Sequence, residues 1–392
     1  MAKFAPTQHL QFLISAGKSF ILSESMVDRN GTLLVAQSDW YEPNEDGQLE
    51  FWISCEKASE SRIRATVTAQ STDDTRAQVS DDRFDVSFKS HRSLLVKYIP
   101  DEVSTTFIPV CKAFKPGGAN CGRVLDINEQ STGASCDKNN AILLWDTYDD
   151  SSRGKFEGHL LDIYCLKFFP SGLVLLSGGG DMLLKIWSIE TGQCHRTLMG
   201  HKRAITGIGF VERGRHIISC SDDGSLRFWD CGSAACIKDI PHDAESLASL
   251  TTGDKVAVVA SSGGFIRSYD MRSYEKTFEM SLASSLNACE FLRDNLIICG
   301  GDNSTGVVDL RRQDKALWNV ESSASVLSFK KWKEGALACM SDGRVHCLQS
   351  PTLQSDDMQL SGCNCGAVYS AAVDSNKIFT CSCDGLIRVY DV

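Results

Sequence analysis

An all-β fold built from repeats is predicted by three observations. A polar, turn-like cluster is followed six residues later by an aromatic or apolar residue that closes a short strand, and this happens at Trp145, Trp187, Trp229, Tyr269, Val308, Leu348 and Tyr390. The spacings between those positions are 42, 42, 40, 39, 40 and 42 residues. The apolar runs between them are four to six residues long and bounded by Gly, Pro, Asp or Ser, which is strand-turn-strand punctuation that leaves no room for a helix. A period near 40 that ends in Trp-Asp or Tyr-Asp is the signature of one four-stranded blade per repeat. The expected architecture is a seven-bladed WD-repeat β-propeller with a small β-rich N-terminal region.

That N-terminal region is expected over residues 1–105. Alternating stretches at Thr32 to Gln37, Leu49 to Ser54, Ile63 to Thr68 and Leu94 to Ile99 read as strands, separated by polar runs such as Glu42 to Gln48 and Ser71 to Arg83. The first thirty residues carry no clear pattern and are expected to be partly disordered. The propeller is expected over 106–392, which is 287 residues or 41 per blade. The chain stops at Val392, directly after a third strand, so the last blade needs a fourth strand from elsewhere to cover its edge. Residues 108–115, just before the first repeat, are the natural donor.

Two repeats superpose closely. One runs from Gly158-His159 through Ser177 and Asp181 to Trp187, and the next from Gly200-His201 through Ser219 and Asp223 to Trp229. His159, Ser177, Asp181 and Trp187, and likewise His201, Ser219, Asp223 and Trp229, stand where a WD repeat places an internal hydrogen-bonded tetrad. His, Ser and Asp also spell a hydrolase triad, but a nucleophile is needed once and this set recurs as a unit. No catalytic residue is therefore assigned. The other five repeats are degraded: Asn139 and Gly263 replace the turn Asp, Asp302, Asp342 and Asp384 keep it, and none opens with Gly-His.

Composition narrows the partners. A formal net charge of −10 and a pI near 5.3 disfavour phosphate backbones and anionic lipid surfaces, so neither nucleic acid nor membrane is expected. The 17 cysteines are odd in number and no secretory signal opens the chain, which fits a reducing compartment, cytoplasm and nucleus. No cofactor is expected. Ala16-Gly17-Lys18-Ser19 ends like a phosphate loop but has Phe12 where the first glycine belongs. Gly178-Gly179-Gly180 reads as a turn, and Lys330-Lys331-Trp332-Lys333 as a solvated turn between strands. Cys363, Cys365, Cys381 and Cys383 lie close enough to converge on zinc, yet their C-x-C spacing fits a zinc knuckle poorly, so no metal is assigned. Loops joining blades and turns between second and third strands share one face. There Glu157, Asp162, Asp222, Asp243, Glu245, Asp302 and Asp342 are expected to form an acidic partner-binding surface.

Several strings carry a closer likeness. Phe168-Phe169-Pro170-Ser171-Gly172-Leu173 through Asp181 to Trp187, the run Trp229-Asp230-Cys231-Gly232-Ser233-Ala234-Ala235-Cys236, and the ending Cys383-Asp384-Gly385-Leu386-Ile387-Arg388 resemble the proteasomal ATPase-associated factor family. The resemblance covers most of the propeller and, more weakly, the N-terminal region from about Gln37. It implies a non-enzymatic assembly chaperone that holds the C-terminal domain of a proteasomal regulatory-particle AAA ATPase subunit while the base assembles, and that is a monomer when free. The alternative is a generic WD-repeat scaffold or a substrate receptor of a ubiquitin ligase. An enzymatic propeller ranks third.

Overall fold

The computed structural model describes residues 32–392 apart from 38–39, 45–46, 58–60, 71–76, 91–92, 243–244, 283, 303, 313–315, 322–323, 349–356 and 362–365. The phosphate-loop-like string lies outside the described residues. Among those described, the only helical turns are the short 3₁₀ segments Ile99–Asp101, Pro116–Gly118 and Glu212–Gly214; everything else regular is strand.

Seven four-stranded antiparallel units follow one another between Lys112 and Asp391. We number them as blades. Blade one comprises Cys121–Ile127, Thr132–Asp137, Ile142–Asp146 and Ser152–Phe156; blade two Ile163–Phe168, Val174–Gly179, Leu184–Ser188 and Cys194–Leu198; blade three Ile205–Val211, His216–Ser221, Ser225–Asp230 and Ala235–Pro241. Blade four comprises Leu247–Thr252, Val256–Ser261, Phe265–Asp270 and Lys276–Ser281, and blade five Leu286–Arg293, Leu296–Gly301, Ser304–Asp309 and Trp318–Glu321. Blade six comprises Val326–Trp332, Gly335–Met340, Val345–Leu348 and Asp357–Leu360. In blade seven Val368–Asp374, Lys377–Ser382 and Ile387–Asp391 are completed by Lys112–Phe114, which pairs antiparallel with Ile387–Asp391. First strands of successive blades pack side by side, and that of blade seven packs on that of blade one.

The second and third strands are largely buried because each blade has a neighbour on both faces. One apolar cluster fills every junction: Leu175 and Trp187 face Leu144 between blades one and two, and Trp229 faces Leu176 and Ile186 between two and three. The same arrangement continues to Phe379 and Ile387 against Leu125 and Trp145 between seven and one. There the Phe114 ring meets Trp145 edge-on at 5.2 Å and Phe379 lies 5.5 Å from it. Trp145 in turn needs Gly133 opposite, because a Cβ there would sit 2.3 Å from the indole.

The division expected between residues 105 and 106 falls inside a strand. Val103–Ile108 pairs in parallel with Asp357–Leu360, so Phe84–Ser90, Ser93–Tyr98 and Val103–Ile108 extend blade six outward into a seven-stranded sheet. Backbone groups on the outer edge of blade six are satisfied this way rather than left to solvent. Thr32–Ala36, Leu49–Lys57, Ile63–Ala69 and Gln78–Val79 form a further sheet, whose Phe51, Ile53 and Val67 pack with Trp40, Leu94, Val96 and Phe107 in a shared core. Trp40 donates its indole N–H to Ser361 Oγ, which itself donates to the Ile108 carbonyl.

The basic string at 330–333 is not the solvated turn that its composition suggests. Lys330, Lys331 and Trp332 belong to the first strand of blade six, Trp332 is buried, and only Lys333 reaches the turn. Lys330 lies two residues before Trp332 on the same strand, and its ammonium pairs with Asp126 of blade one at 3.2 Å. Blades one and six are not neighbours, so this ion pair links the two blades that flank blade seven. The Asp126 charge holds the Lys330 ammonium above its ordinary pKa.

The amide of Cys111 donates to the Val389 carbonyl at 2.8 Å, beside the strand that completes blade seven. Cys111→Pro removes that donor and is expected to destabilise the protein by about 1–3 kcal/mol. Urea unfolding of the full chain measures it, and an unchanged midpoint would show that this seam does not limit closure.

Candidate functional site

In blade two the imidazole Nδ1 of His159 lies 2.8 Å from Asp181 Oδ2 and its Nε2 2.6 Å from Ser177 Oγ, while Trp187 Nε1 donates to the same Oγ at 2.8 Å. One proton arrangement satisfies every contact: the indole donates to the hydroxyl, the hydroxyl to Nε2, and Nδ1–H to the carboxylate. Blade three repeats it with His201, Ser219, Asp223 and Trp229 at 3.1, 2.7 and 2.9 Å. These distances would also suit a hydrolase triad. Burial decides between the two: Ser177 and Ser219 are 0% exposed, and each hydroxyl lies under the tryptophan that donates to it. No substrate carbonyl reaches them.

The tetrads titrate as structural groups. Burial works against the charge on Asp223, but the Ser225 hydroxyl, the Lys202 and Ser225 amides and His201 outweigh it and bring its pKa to about 2. Burial likewise opposes ionisation of Asp181, and His159 more than compensates, so its pKa is lowered. Burial pushes the His201 pKa down, against the pull of Asp223.

A third, abbreviated version was missed in the sequence. In blade four Val259 and Gly263 stand where Ser and Asp would be, so no bridging hydroxyl exists. His242 instead meets the Tyr269 hydroxyl directly through Nε2, and its Nδ1 lies 3.1 Å from the Gly224 carbonyl. Tyrosine supplies on its own ring the oxygen that serine supplies in blades two and three. The available signal was Pro241-His242, which sits 27 residues before the closing residue instead of the 28 of Gly-His. Blade one keeps only the Trp145-to-Ser135 bond at 3.2 Å, and its turn amides at Asn139 and Ala141 donate to Asp137 rather than to a side chain at 139. In blade seven Arg388 bridges Ser382 and Asp384.

Of the expected acidic surface, three residues are ion-paired. Glu157 meets Lys155 at 2.6 Å, Glu245 meets Arg267 at 2.7 Å, and Asp342 meets Arg344. Asp222 accepts from the Ser246 hydroxyl and Asp302 from the Asn287 amide, so both keep their net charge. Asp162 is exposed, and Asp243 lies outside the described residues. Three of the acids thus lose net charge to a lysine or arginine two residues away or on the adjoining strand, and three described ones keep it. A cleft of about 420 Å³ between blades three and four is lined by His242, Glu245, Arg267, Tyr269, Lys276 and Glu279. Its charges also cancel internally, Arg267 pairing with both glutamates and Lys276 with Glu279.

Cys381 is fully buried and Cys383 half-buried, while Cys363 and Cys365 lie outside the described residues. Among the described residues no group of His, Cys, Asp and Glu is placed to hold a metal. Burial pushes the thiols of Cys220, Cys299 and Cys339 up to about 12, which makes them inert core residues.

The WD domain, G-beta repeat model matches residues 150–188, 192–230 and 355–391. Proteasomal ATPase-associated factor 1 of Gallus gallus is 29% identical over 91% of this chain and 97% of its own length. This chain is a WD-repeat β-propeller protein and a homologue of Proteasomal ATPase-associated factor 1. The 26S proteasome regulatory subunit RPN14 of Saccharomyces cerevisiae is 43% identical over 25% of this chain and 24% of its own length. A p21-activated protein kinase-interacting protein 1-like of Danio rerio is 29% identical, and this chain spans about half of it, 51%. The solved structure of U3-55K shares the fold, with a TM-score of 0.62 at 15% identity over 72% of this chain and 98% of that one. The first two matched repeats of the WD model are those with complete tetrads.

Two predictions follow from the tetrads. The Asp223 carboxyl titrates near 2 when folded and near 3.9 when unfolded, so its contribution is complete above about 4 and lost as pH falls toward 2. Asp223→Asn is therefore expected to be less stable than the parent at pH 7, with the difference closing through that window in acid-unfolding curves; a constant difference would contradict the assignment. Tyr269→Phe leaves His242 without its hydroxyl partner and is expected to cost about 1–3 kcal/mol in urea unfolding.

Proposed function

We propose that this protein is a non-enzymatic assembly chaperone that binds the C-terminal domain of a proteasomal regulatory-particle AAA ATPase subunit through its loop face while the base assembles. The observation that carries the reading is the likeness to Proteasomal ATPase-associated factor 1, which runs over 91% of this chain and 97% of the relative and so is not confined to the WD repeats. The shorter likeness to a 26S proteasome regulatory subunit supports the same setting. The fold suits the role: a ring braced at every junction holds its loops rigid, so little ordering entropy is lost on binding.

Asp162, Asp222 and Asp302 keep net charge on the loop face and speed encounter with a basic patch, whereas Glu157, Glu245 and Asp342 are already paired and contribute less. A contact of this polarity also releases readily, as a transient chaperone must. Buried and hydrogen-bonded serines in both tetrads support a binding rather than a catalytic role. Free thiols support a reducing compartment, cytoplasm and nucleus.

Purified C-terminal domains of the regulatory ATPases, offered to the immobilised full chain, test this directly. At least one domain is expected to be retained, with Asp162→Lys/Asp302→Lys weakening capture by about tenfold, mainly through a slower association rate. Retention of none of the domains would end the proposal.

A further inference from the structure

Five residues before the closing residue of six blades, the turn between second and third strands enters the left-handed region. Asn140 (φ 65°), Gly224 (φ 77°), Gly264 (φ 82°), Gly343 (φ 92°) and Gly385 (φ 81°) occupy that place in five blades. Glycine takes this conformation without strain and asparagine tolerates it, whereas a longer side chain crowds its own backbone. Blade two has Met182 there, at φ 66° and 40% exposed. A methionine in this conformation carries a backbone cost that glycine does not.

Its neighbours are equally unusual. Leu160 and Leu161, which follow His159, are 80% and 54% exposed. The Leu160 amide donates to Asp181 Oδ2, one residue from Met182, and Leu161 Cβ comes within 3.4 Å of where a Cβ on Gly180 would stand. Blade three uses the same backbone bond, from Lys202 to Asp223, but with Lys202-Arg203 in place of Leu160-Leu161 and Gly224 in place of Met182. The fold thus needs only the amide at this point and leaves the side chains open. Blade two fills all three positions with large apolar groups.

Around this patch stand exposed cations. Lys138 belongs to the turn of blade one, whose Asn140 donates to the Leu160 carbonyl, while Lys202 and Arg203 open blade three. None of the three has an ion pair among the described residues; of the nearby acids Asp181 and Asp223 are engaged within the tetrads, Asp222 bonds Ser246 and Asp162 is exposed. An apolar centre with a polar rim whose exposed, unpaired charges are mainly cationic matches the anatomy of a protein-binding hot spot.

We propose that Leu160, Leu161 and Met182 form an anchor site on the loop face for a partner segment that presents large apolar side chains flanked by Asp or Glu. It rests on the reading that the loop face is the docking face, and it places on blade two a contact chemically distinct from the acidic one. Methionine suits the role because its flexible, polarisable side chain adapts to the inserted group.

The test uses the full-length chain on a peptide array that combines tiles of the regulatory ATPase C-terminal domains with a random library. Retained peptides are expected to be rich in Leu, Ile, Phe or Met with Asp or Glu, and to bind about tenfold or more weakly to Leu160→Ser/Leu161→Ser and to Met182→Gly. Met182→Gly relieves the left-handed strain, so it keeps or raises the thermal midpoint and any loss of binding is not a loss of folding. Unchanged binding by Met182→Gly, preference for Lys- or Arg-flanked peptides, no retained peptide, or self-association abolished by the same substitutions would each overturn the anchor site. If library peptides bind as expected but no ATPase domain is captured, the site stands and the ATPase assignment falls. If a domain is captured equally by parent and variants, the assignment stands and the site falls.

Discussion

Every blade depends on having another on each side, and the arrangement is stable only because the row of sheets returns to its start. Seven apolar clusters lie at seven junctions, and the one joining blades seven and one, around Trp145, Phe379 and Phe114, has no covalent support from adjacent sequence. A chain segment from before blade one, Lys112–Phe114, joins blade seven instead. Without that seam the outer faces of both terminal sheets would expose fully apolar strands and an unpaired edge to water. The Lys330–Asp126 pair braces the same closed form, between blades that are not neighbours.

Given a closed ring, polar chemistry inside the blades becomes a matter of local satisfaction. Blades two and three complete a four-member chain of hydrogen bonds. Blade four achieves a shorter one with His242 and Tyr269, and blade seven uses Arg388 between Ser382 and Asp384. Different residues meet the same requirement, that buried donors and acceptors near the turn find partners. This explains how repeats that look degraded can still form regular sheets.

The loop face follows a different rule, because the fold asks for backbone amides there and seldom for particular side chains. Some acids and bases on it are arranged as neighbouring pairs, and the exposed leucines and methionine of blade two are the clearest departure from what a solvated turn requires. The N-terminal strands, by contrast, are committed to structure: they extend blade six and share a core built on Trp40.

Periodicity along the chain determined a great deal: strand content, the spacing of the units and both complete tetrads were legible, since each depends on residues close in sequence whose spacing is set by strand length. Only the folded molecule decided how distant parts pair. The parallel union of Val103–Ile108 with Asp357–Leu360, the pairing of Lys330 with Asp126, the substitution of Tyr269 for a missing serine and the pairing of Glu245 with Arg267 all depend on contacts between segments whose register no local pattern encodes. A residue's type limits what it can bond to, but which partner it meets is fixed when the sheets close on one another.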